Sequence, residues 1–208
     1  LQGKNIVITA GGTEEAIDPV RFIGNRSSGK MGISLATEAA AMGAKVKLIY
    51  GNVSMPLPQN PRITLIHVSS SEEMLVAVKK EFKHSNVLIM AAVADWRMKQ
   101  VADHKLKKQA DQQTLTLTLV KTTDILREVA SHKQRGQIVV GFAAETNNLL
   151  QNAAKKLSSK GADMIVANDV SKNVFGNDED QVTILQKNKS TKKWPKMSKQ
   201  KIAQKLLQ

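Results

Sequence analysis

Two clusters of small polar residues follow the first apolar run of the sequence and are suited to bind an anion. Gly11 and Gly12 come directly after the run NIVITA, and Ser27, Ser28 and Lys30 lie in the later cluster NRSSGKMG. Glycine lets backbone N–H groups approach an anion closely because no Cβ intervenes. The serines stand where the next helix would begin, and a helix N-terminus attracts negative charge. We therefore predict that these residues form a loop for a phosphate or substrate, although a purely structural turn is the alternative.

This loop matches neither of two familiar nucleotide-binding motifs. The run from Gly24 to Lys30 is similar to the start of a P-loop, but Met31 stands where a Ser or Thr would hold Mg²⁺. The sequence has no G-x-G-x-x-G, and its second strand-like run, KVKLIY, ends at Tyr50 without a carboxylate for a ribose. These departures disfavour the alternative function, an NAD(P)-dependent Rossmann-type reductase.

Polar residues also follow later apolar runs. Asp95 comes after MAAVA, Glu145 after GFAA, and Asn168 after IVA. Ligands of open α/β sheets bind beyond the carboxyl ends of the strands, so this repetition predicts a binding site at one edge of the sheet. Asp95 is a candidate ligand for Mg²⁺, which usually takes one or two carboxylates together with phosphate oxygens. A turn-forming Asp is the alternative at this position.

The elements that must position these residues alternate along most of the chain. The predicted strands are short and mostly apolar at every position, which is typical of parallel strands covered on both faces. They span residues 5–10, 45–50, 63–68, 87–92, 138–143 and 164–167. The predicted helices span residues 31–43, 69–82, 122–133 and 147–161. The alternation predicts an α/β, Rossmann-like three-layer fold with a mainly parallel sheet.

Two segments interrupt this alternation. Residues 98–113 are polar, rich in lysine and without an apolar period, which predicts a mobile flap. Residues 115–121, LTLTLVK, alternate strictly and predict a half-buried strand. Together with residues 181–187 they would form a small antiparallel addition at the sheet edge. Leucines exposed there would need a partner, so a homodimer is expected.

The composition excludes several classes of site. The chain of 208 residues has no Cys and hence no disulfide or thiolate nucleophile, which is compatible with the expected cytoplasmic location. No apolar run approaches the roughly 18 residues of a membrane span. The net charge is +13, but eight lysines lie in residues 186–208, a basic tail that we interpret as a solvated helix. We therefore expect no nucleic-acid or membrane partner.

Six motifs in order carry a family resemblance. ITAGGT, IDPVRFIGNRSSGKMG, MAAVADW, KLKK, VGFAAET and IVANDV resemble bacterial-type phosphopantothenoylcysteine synthetase, a ligase domain usually fused behind a flavin-dependent decarboxylase. The resemblance covers Leu1 to about Leu185. The start LQGKNIVITA, without an initiator Met, likewise favours a single domain, residues 1–208, that is excised from or fused to an upstream decarboxylase domain.

The resemblance implies a specific reaction in coenzyme A biosynthesis. The family joins 4′-phosphopantothenate to L-cysteine and splits CTP to CMP and pyrophosphate through an acyl-cytidylate. It implies Mg²⁺ together with CTP, a homodimer, and no FMN in this domain. The choice of CTP over ATP does not follow from the residues themselves.

The resemblance also assigns roles to single residues. It implies that Asn25 holds the acyl group and that Lys105 on the flap contacts the triphosphate, whereas a turn-forming Asn and a solvated Lys are the alternatives. Thr122 and Thr123 replace the usual Asn-Pro of the family. The implied nucleotide-binding residues are Ile89, Met90, Ala91, Asp95, Lys105, Thr123, Asp124, Ile125, Leu126, Phe142, Lys156 and Lys160.

Overall fold

The computed structural model describes residues 1–90, 92–108, 111, 113–171 and 176–208. Its centre is an eight-stranded sheet of order β13-β12-β10-β9-β6-β1-β4-β5. The strands are β1 (Asn5–Ala10), β2 (Glu14–Ala16), β3 (Phe22–Gly24), β4 (Lys45–Tyr50), β5 (Ile63–His67), β6 (Val87–Met90), β7 (Trp96–Met98), β8 (Leu119–Lys121), β9 (Ile138–Glu145), β10 (Met164–Asp169), β11 (Glu179–Asp180), β12 (Val182–Gln186), β13 (Lys192–Lys193) and β14 (Met197–Ser198).

The helices cover both faces of this sheet. They are α1 (Lys30–Ala41), α2 (Ser71–Phe82), α3 (Ile125–Ser131), α4 (Leu149–Lys160) and α5 (Lys199–Leu206). Helices α1 and α5 pack in one core cluster, and α2, α3 and α4 pack in the other. Among the described residues, no helix combines the length and the apolar character needed to cross a membrane.

The strands are apolar at successive positions because each face of the sheet meets a helical layer. On β1, Ile6 and Ile8 belong to the cluster of α1 and α5, while Val7 between them belongs to the opposite cluster. Strands β5, β4, β1, β6, β9 and β10 run parallel, and β12 and β13 continue the sheet antiparallel. The predicted α/β three-layer fold is therefore confirmed.

The strand order reverses direction at the centre of the sheet. From β1 the chain proceeds outward through α1 to β4 and β5, and it then returns through α2 to β6 on the other side of β1. The crevice beyond the carboxyl ends of β1 and β6 is therefore the topological switch point, where open α/β sheets bind ligands.

The alternating run LTLTLVK differs from its prediction. Only Leu119–Lys121 forms a strand, β8, and it pairs with β7 in a separate two-stranded sheet. The predicted partner run forms β12, which pairs with β10 and β13 at the edge of the main sheet. The two runs are thus not one antiparallel addition, because β7 offers β8 only three residues for pairing.

The basic tail is not a solvated helix, and that interpretation is wrong. On α5, Ile202 and Ala203 are fully buried in the core beside α1. Gln200 and Gln204 donate Nε2 hydrogen bonds of 2.7 and 3.0 Å to the carboxylate of Glu38 on α1. The helical period collects the few apolar residues of this segment on one face, and the number of lysines masked that amphipathic pattern.

Ile202→Ala should lower the free energy of unfolding by about 2–5 kcal/mol, because it deletes buried methyl groups and leaves a cavity between α5 and the sheet. Urea unfolding followed by circular dichroism measures the change. Val76→Ala on α2 is the matched control, since Val76 is 64% exposed. The control should stay within ~0.5 kcal/mol of the unsubstituted protein. Equal stability of both variants would contradict the burial of α5.

Candidate active site

A cavity of about 930 Å³ lies at the carboxyl ends of β6, β9 and β10 and at the N-termini of α1, α3 and α5. It brings together most of the predicted site residues. Those on its wall are Asn25, Ser27, Ser28, Lys30, Met90, Asp95, Thr123, Asp124, Ile125, Leu126, Phe142, Lys156 and Lys160. Most of the predicted site residues therefore lie around one cavity at one edge of the sheet.

Some predicted residues lie elsewhere. Among the described residues, Gly11, Gly12, Ile89 and Lys105 are not part of the cavity wall. Ile89 points into the core and is only 5% exposed, whereas Lys105 is exposed on the flap. Ala91 lies outside the described residues, so its predicted backbone contact with the nucleotide stays a prediction.

Gly11 and Gly12 serve close packing, which differs from the predicted anion cradle. Gly11 has a φ of 77°, and a Cβ there would lie 2.3 Å from the carbonyl oxygen of Asn52. The Gly12 N–H donates to that same oxygen at 3.2 Å. A Cβ on Gly12 would lie 2.9 Å from the carbonyl oxygen of Asn25. The two glycines therefore let the Asn52 turn and the Asn25 loop approach the end of β1.

The N-terminus of α1 faces the cavity, as Ser27, Ser28 and Lys30 predict. Gly29 is the N-cap residue with a φ of 79°, and since glycine has no side chain, α1 has no side-chain cap. The Lys30 side chain, however, already has partners: its Nζ donates to the carbonyl oxygen of Gly176 at 2.5 Å and to Asp178 at 2.7 Å. This hydrogen bond from Lys30 lowers the pKa of Asp178.

Two lysines of α4 form the cationic end of the cavity. Lys156 donates from Nζ to the carbonyl oxygen of Phe142 at 2.6 Å, and Lys160 forms an ion pair with Asp124. Burial lowers the pKa of Lys156, and the neighbouring Lys160 lowers it further. A cation that is desolvated next to another cation gains strongly from an anionic ligand.

Asp124 has two roles at the start of α3. Its Oδ1 accepts a hydrogen bond of 3.1 Å from the backbone N–H of Arg127, so Asp124 is the N-cap of α3. Its Oδ2 pairs with Lys160, and the residue lines the cavity. The loop before it is held by Thr122, whose Oγ1 donates to the carbonyl oxygen of Ala94 at 2.6 Å. Thr122 therefore anchors a loop in which the Asn-Pro of the family is absent.

The segment after β6 forms the middle of the wall. Asn25 donates from Nδ2 to the carbonyl oxygen of Val93 at 2.9 Å, which orients its amide at the cavity. Ala92 has a φ of 61°, an uncommon conformation for a residue with a Cβ that often occurs at functional sites. Asp95 is exposed on the same wall.

Asp95 is also the residue that fits a metal ion arriving with a nucleotide. No group of three or more potential protein ligands is present in the described part of the chain. Mg²⁺ commonly binds through one or two carboxylates together with substrate phosphates, so a single carboxylate of the wall such as Asp95 is sufficient.

Two buried charged residues of the wall were missed by the sequence analysis. Asp180 on β11 and Lys199 at the start of α5 are both buried, at 5% and 8% exposure. No motif marks them, and Lys199 belongs to a segment that was interpreted as solvated. For Lys199, the only signal in the sequence was the mixture of lysine and apolar residues at helical spacing in this segment.

The flap is attached to the hairpin that precedes the Asn25 loop. Asp18 is buried, and its carboxylate accepts hydrogen bonds from the backbone N–H groups of Val20, Arg21 and Leu106 at 2.9, 2.9 and 3.1 Å. Arg21 binds Asp18 through its guanidinium and donates to the carbonyl oxygen of Leu106 at 2.9 Å. The Arg21 hydrogen bond holds the pKa of Asp18 far below its ordinary value. Lys105 is therefore adjacent to Leu106, the residue at which the flap is attached.

Asp18→Asn should weaken the attachment of the flap at Leu106, because the new amide N–H₂ would replace Oδ2 and face the N–H groups of Arg21 and Leu106. A hydrogen bond to a charged group contributes roughly 1.5–3 kcal/mol, so the Leu106 amide should exchange its hydrogen roughly 10- to 100-fold faster. NMR-detected hydrogen exchange measures this. Asp103→Asn makes the same chemical change at an exposed flap residue and should leave the rate unchanged. Unchanged exchange in Asp18→Asn would contradict the attachment.

Comparison with known proteins agrees with the six motifs. The family model described as the DNA/pantothenate metabolism flavoprotein C-terminal domain matches residues 1–208. The coenzyme A biosynthesis bifunctional protein CoaBC of Bacillus subtilis (strain 168) is 47% identical over 211 residues, which cover 100% of this chain and 51% of that protein. The chain therefore spans about half the length of this curated relative.

Solved structures share the fold. The crystal structure of the C-terminal domain of the coenzyme A biosynthesis bifunctional protein CoaBC has a TM-score of 0.82 at 40% identity and covers 100% of this chain and 93% of that one. The DNA/pantothenate metabolism flavoprotein from Streptococcus pneumoniae has a TM-score of 0.83 at 25% identity, with 99% and 97% covered. The predicted family is confirmed, and the chain belongs to the DNA/pantothenate metabolism flavoprotein C-terminal domains.

Proposed function

We propose that the protein is a ligase that joins 4′-phosphopantothenate to L-cysteine and uses CTP to drive the reaction. In the first half-reaction, the phosphopantothenate carboxylate attacks the α-phosphorus of CTP, the bond to the β-phosphate breaks, and pyrophosphate leaves. The product is an acyl-cytidylate. In the second half-reaction, the neutral cysteine amine attacks the acyl carbon, the acyl–phosphate C–O bond breaks, CMP leaves with the bonding electrons, and the amide nitrogen releases a proton.

The observation that supports this proposal most directly is that one cavity joins a cationic end to an amide donor. Lys156 and Lys160 supply the cations, and Asn25 supplies the amide on the same wall. A carboxylate is a poor acyl donor and must be activated, which requires mainly positioning and neutralisation of phosphate charge. The names of the matched relatives place those proteins in coenzyme A biosynthesis.

Each end of the cavity is proposed to serve one part of the chemistry. Lys156 and Lys160 would bind the phosphates of the nucleotide, and Phe142 with Met90 would border its base. Lys105 lies outside the cavity wall in the described structure. It would therefore reach the triphosphate only when the flap closes. Asn25 would hold the acyl oxygen while the amine attacks.

Mg²⁺ is proposed to enter with CTP. Asp95 would hold it, and the ion would supply charge neutralisation on the phosphate oxygens. Lys156 and Lys160 are held in place by protein partners, so their positions do not require the ion.

Two macromolecular partners belong to the proposal. An upstream decarboxylase domain is supported by the length and the bifunctional name of the matched relative. A homodimer is supported by apolar side chains around β7 and β8: Trp96, Leu115 and Leu119 are 47%, 53% and 36% exposed. Sedimentation velocity distinguishes a dimer from a monomer, and a monomer at every concentration would contradict this part.

Pyrophosphate release tests the reaction itself. We expect release from CTP only when phosphopantothenate is present, and formation of the amide only when cysteine is added. Parallel reactions with ATP establish the nucleotide, because base selection can depend on backbone groups. NADPH oxidation without pyrophosphate release would instead favour the reductase. Among its described residues, the cavity wall lacks the glycine-rich turn that binds such a cofactor.

Asn25→Ala and Asn25→Asp should separate the two half-reactions, because the amide donor is needed for the acyl group and not for attack on CTP. Both variants should release pyrophosphate in a single turnover and accumulate phosphopantothenoyl-cytidylate, detected by mass spectrometry after denaturation. Cysteine should discharge the intermediate ~10²–10³-fold more slowly than in the unsubstituted protein.

Asn60→Ala is the matched control for Asn25. Asn60 also stabilises a turn, since its Oδ1 accepts a hydrogen bond of 2.9 Å from the N–H of Arg62, but it lies outside the cavity wall. Its variant should discharge the intermediate at the normal rate. If the Asn25 variants behave in the same way, Asn25 is only a turn former; if they release no pyrophosphate, it belongs to the first half-reaction.

A further inference from the structure

The two buried charged residues that the sequence analysis missed lie on one wall of the cavity and have opposite signs. Asp180 ends β11, and Lys199 begins α5. The pairing of β11 with β14 brings these segments together, and the Lys199 N–H donates to the carbonyl oxygen of Asp178 at 2.8 Å. Burying a charge is unfavourable unless a counter-charge or a ligand compensates it. Both residues therefore need an explanation.

Asp180 is bonded only by neutral donors among the described residues. The backbone N–H of Gln181 donates to its Oδ1 at 2.8 Å, and Nδ2 of Asn168 donates to its Oδ2 at 3.3 Å. Burial raises the pKa of Asp180 above its ordinary value. The carboxylate is thus oriented and desolvated, and no hydrogen-bonded cation neutralises it within this part of the chain.

The position of Lys199 is unfavourable for a cation for two reasons. It is the first residue of α5, and the N-terminal end of a helix repels positive charge. Burial also lowers the pKa of Lys199. Nearby, Lys30 is bonded to Gly176 and Asp178. The carboxylates of Asp180 and Asp178 attract the Lys199 ammonium and Lys30 repels it, but among the described residues the Lys199 side chain forms no hydrogen bond or salt bridge. An anionic ligand would relieve all of these effects.

We infer that Asp180 and Lys199 form the subsite for L-cysteine, with Asp180 binding its α-ammonium group and Lys199 its α-carboxylate. The inference rests on the proposed function and extends it. A buried carboxylate repels phosphate groups, so this end of the wall does not suit CTP or phosphopantothenate. Among the proposed substrates, only the amino acid carries a cation and an anion on one carbon. These two charges are complementary to the two opposite charges of the wall.

Acceptor substrates with and without the carboxylate test the role of Lys199. L-cysteine and 2-aminoethanethiol share the amine and the thiol, but only cysteine has the carboxylate. Lys199→Gln should lower kcat/KM for cysteine roughly 10- to 100-fold through loss of one charged hydrogen bond, and should leave kcat/KM for 2-aminoethanethiol nearly unchanged. Lys201→Gln, an exposed position on the same helix, is the matched control and should change neither value.

Asp180→Asn should show the complementary behaviour. Both acceptors carry the ammonium group, so kcat/KM should fall by a similar factor for each. Both variants should retain pyrophosphate release in the absence of an acceptor, which shows that they fold and bind the other substrates. A purely structural role for Lys199 would lower stability without changing the preference for cysteine over 2-aminoethanethiol. A purely structural role for Asp180 would lower stability but leave kcat/KM of the folded protein unchanged for both acceptors.

Three outcomes would overturn the inference or the function, and they are distinguishable. An unchanged preference in Lys199→Gln excludes the carboxylate contact. Loss of pyrophosphate release in both variants, with folding intact, assigns the residues to phosphopantothenate instead. If the unsubstituted protein releases no pyrophosphate, the proposed function fails; NMR titration with L-cysteine then still tests the subsite, since Lys199→Gln must weaken that binding.

Discussion

The close contact between α1 and β1 is the constraint on which the rest of the structure depends. A Cβ on Gly32 would lie 2.5 Å from the carbonyl oxygen of Thr9 and 2.7 Å from the Cβ of Ala10, so only glycine lets the first turn of α1 lie against the strand. This contact directs the N-terminus of α1 to the switch point of the sheet. It also sets the surface on which α5 packs, and thereby fixes Lys199 at the cavity.

Three lysines of the cavity wall already have protein partners. Lys160 pairs with Asp124, Lys156 donates to a main-chain carbonyl, and Lys30 pairs with Asp178. These partners keep the cations in place despite their mutual repulsion, so an anionic ligand finds them already oriented. The ligand must exchange with these partners, and its affinity therefore reflects the difference between two sets of contacts.

The sequence predicted the parallel sheet well because burial on both faces leaves an unambiguous apolar run. Strands β1 and β4 have the predicted bounds. Local patterns failed where a partner from a distant part of the chain decides the outcome: β7 limits β8 to three residues, and α1 buries one face of α5. Likewise, Gly11 and Gly12 suit an anion locally, but the turn at Asn52 occupies that space. Asp180 and Lys199 become neighbours only through tertiary pairing.

The packing of α5 on α1 also constrains how the protein can fold during translation. The two helices share one apolar layer although more than 150 residues separate them in the chain, as the Glu38–Gln200 hydrogen bond shows. Until the ribosome has released α5, α1 has an uncovered apolar surface, and contacts of such high sequence separation form slowly. The nascent chain consequently exposes a hydrophobic surface from the synthesis of α1 until that of α5, and such a surface favours aggregation during folding.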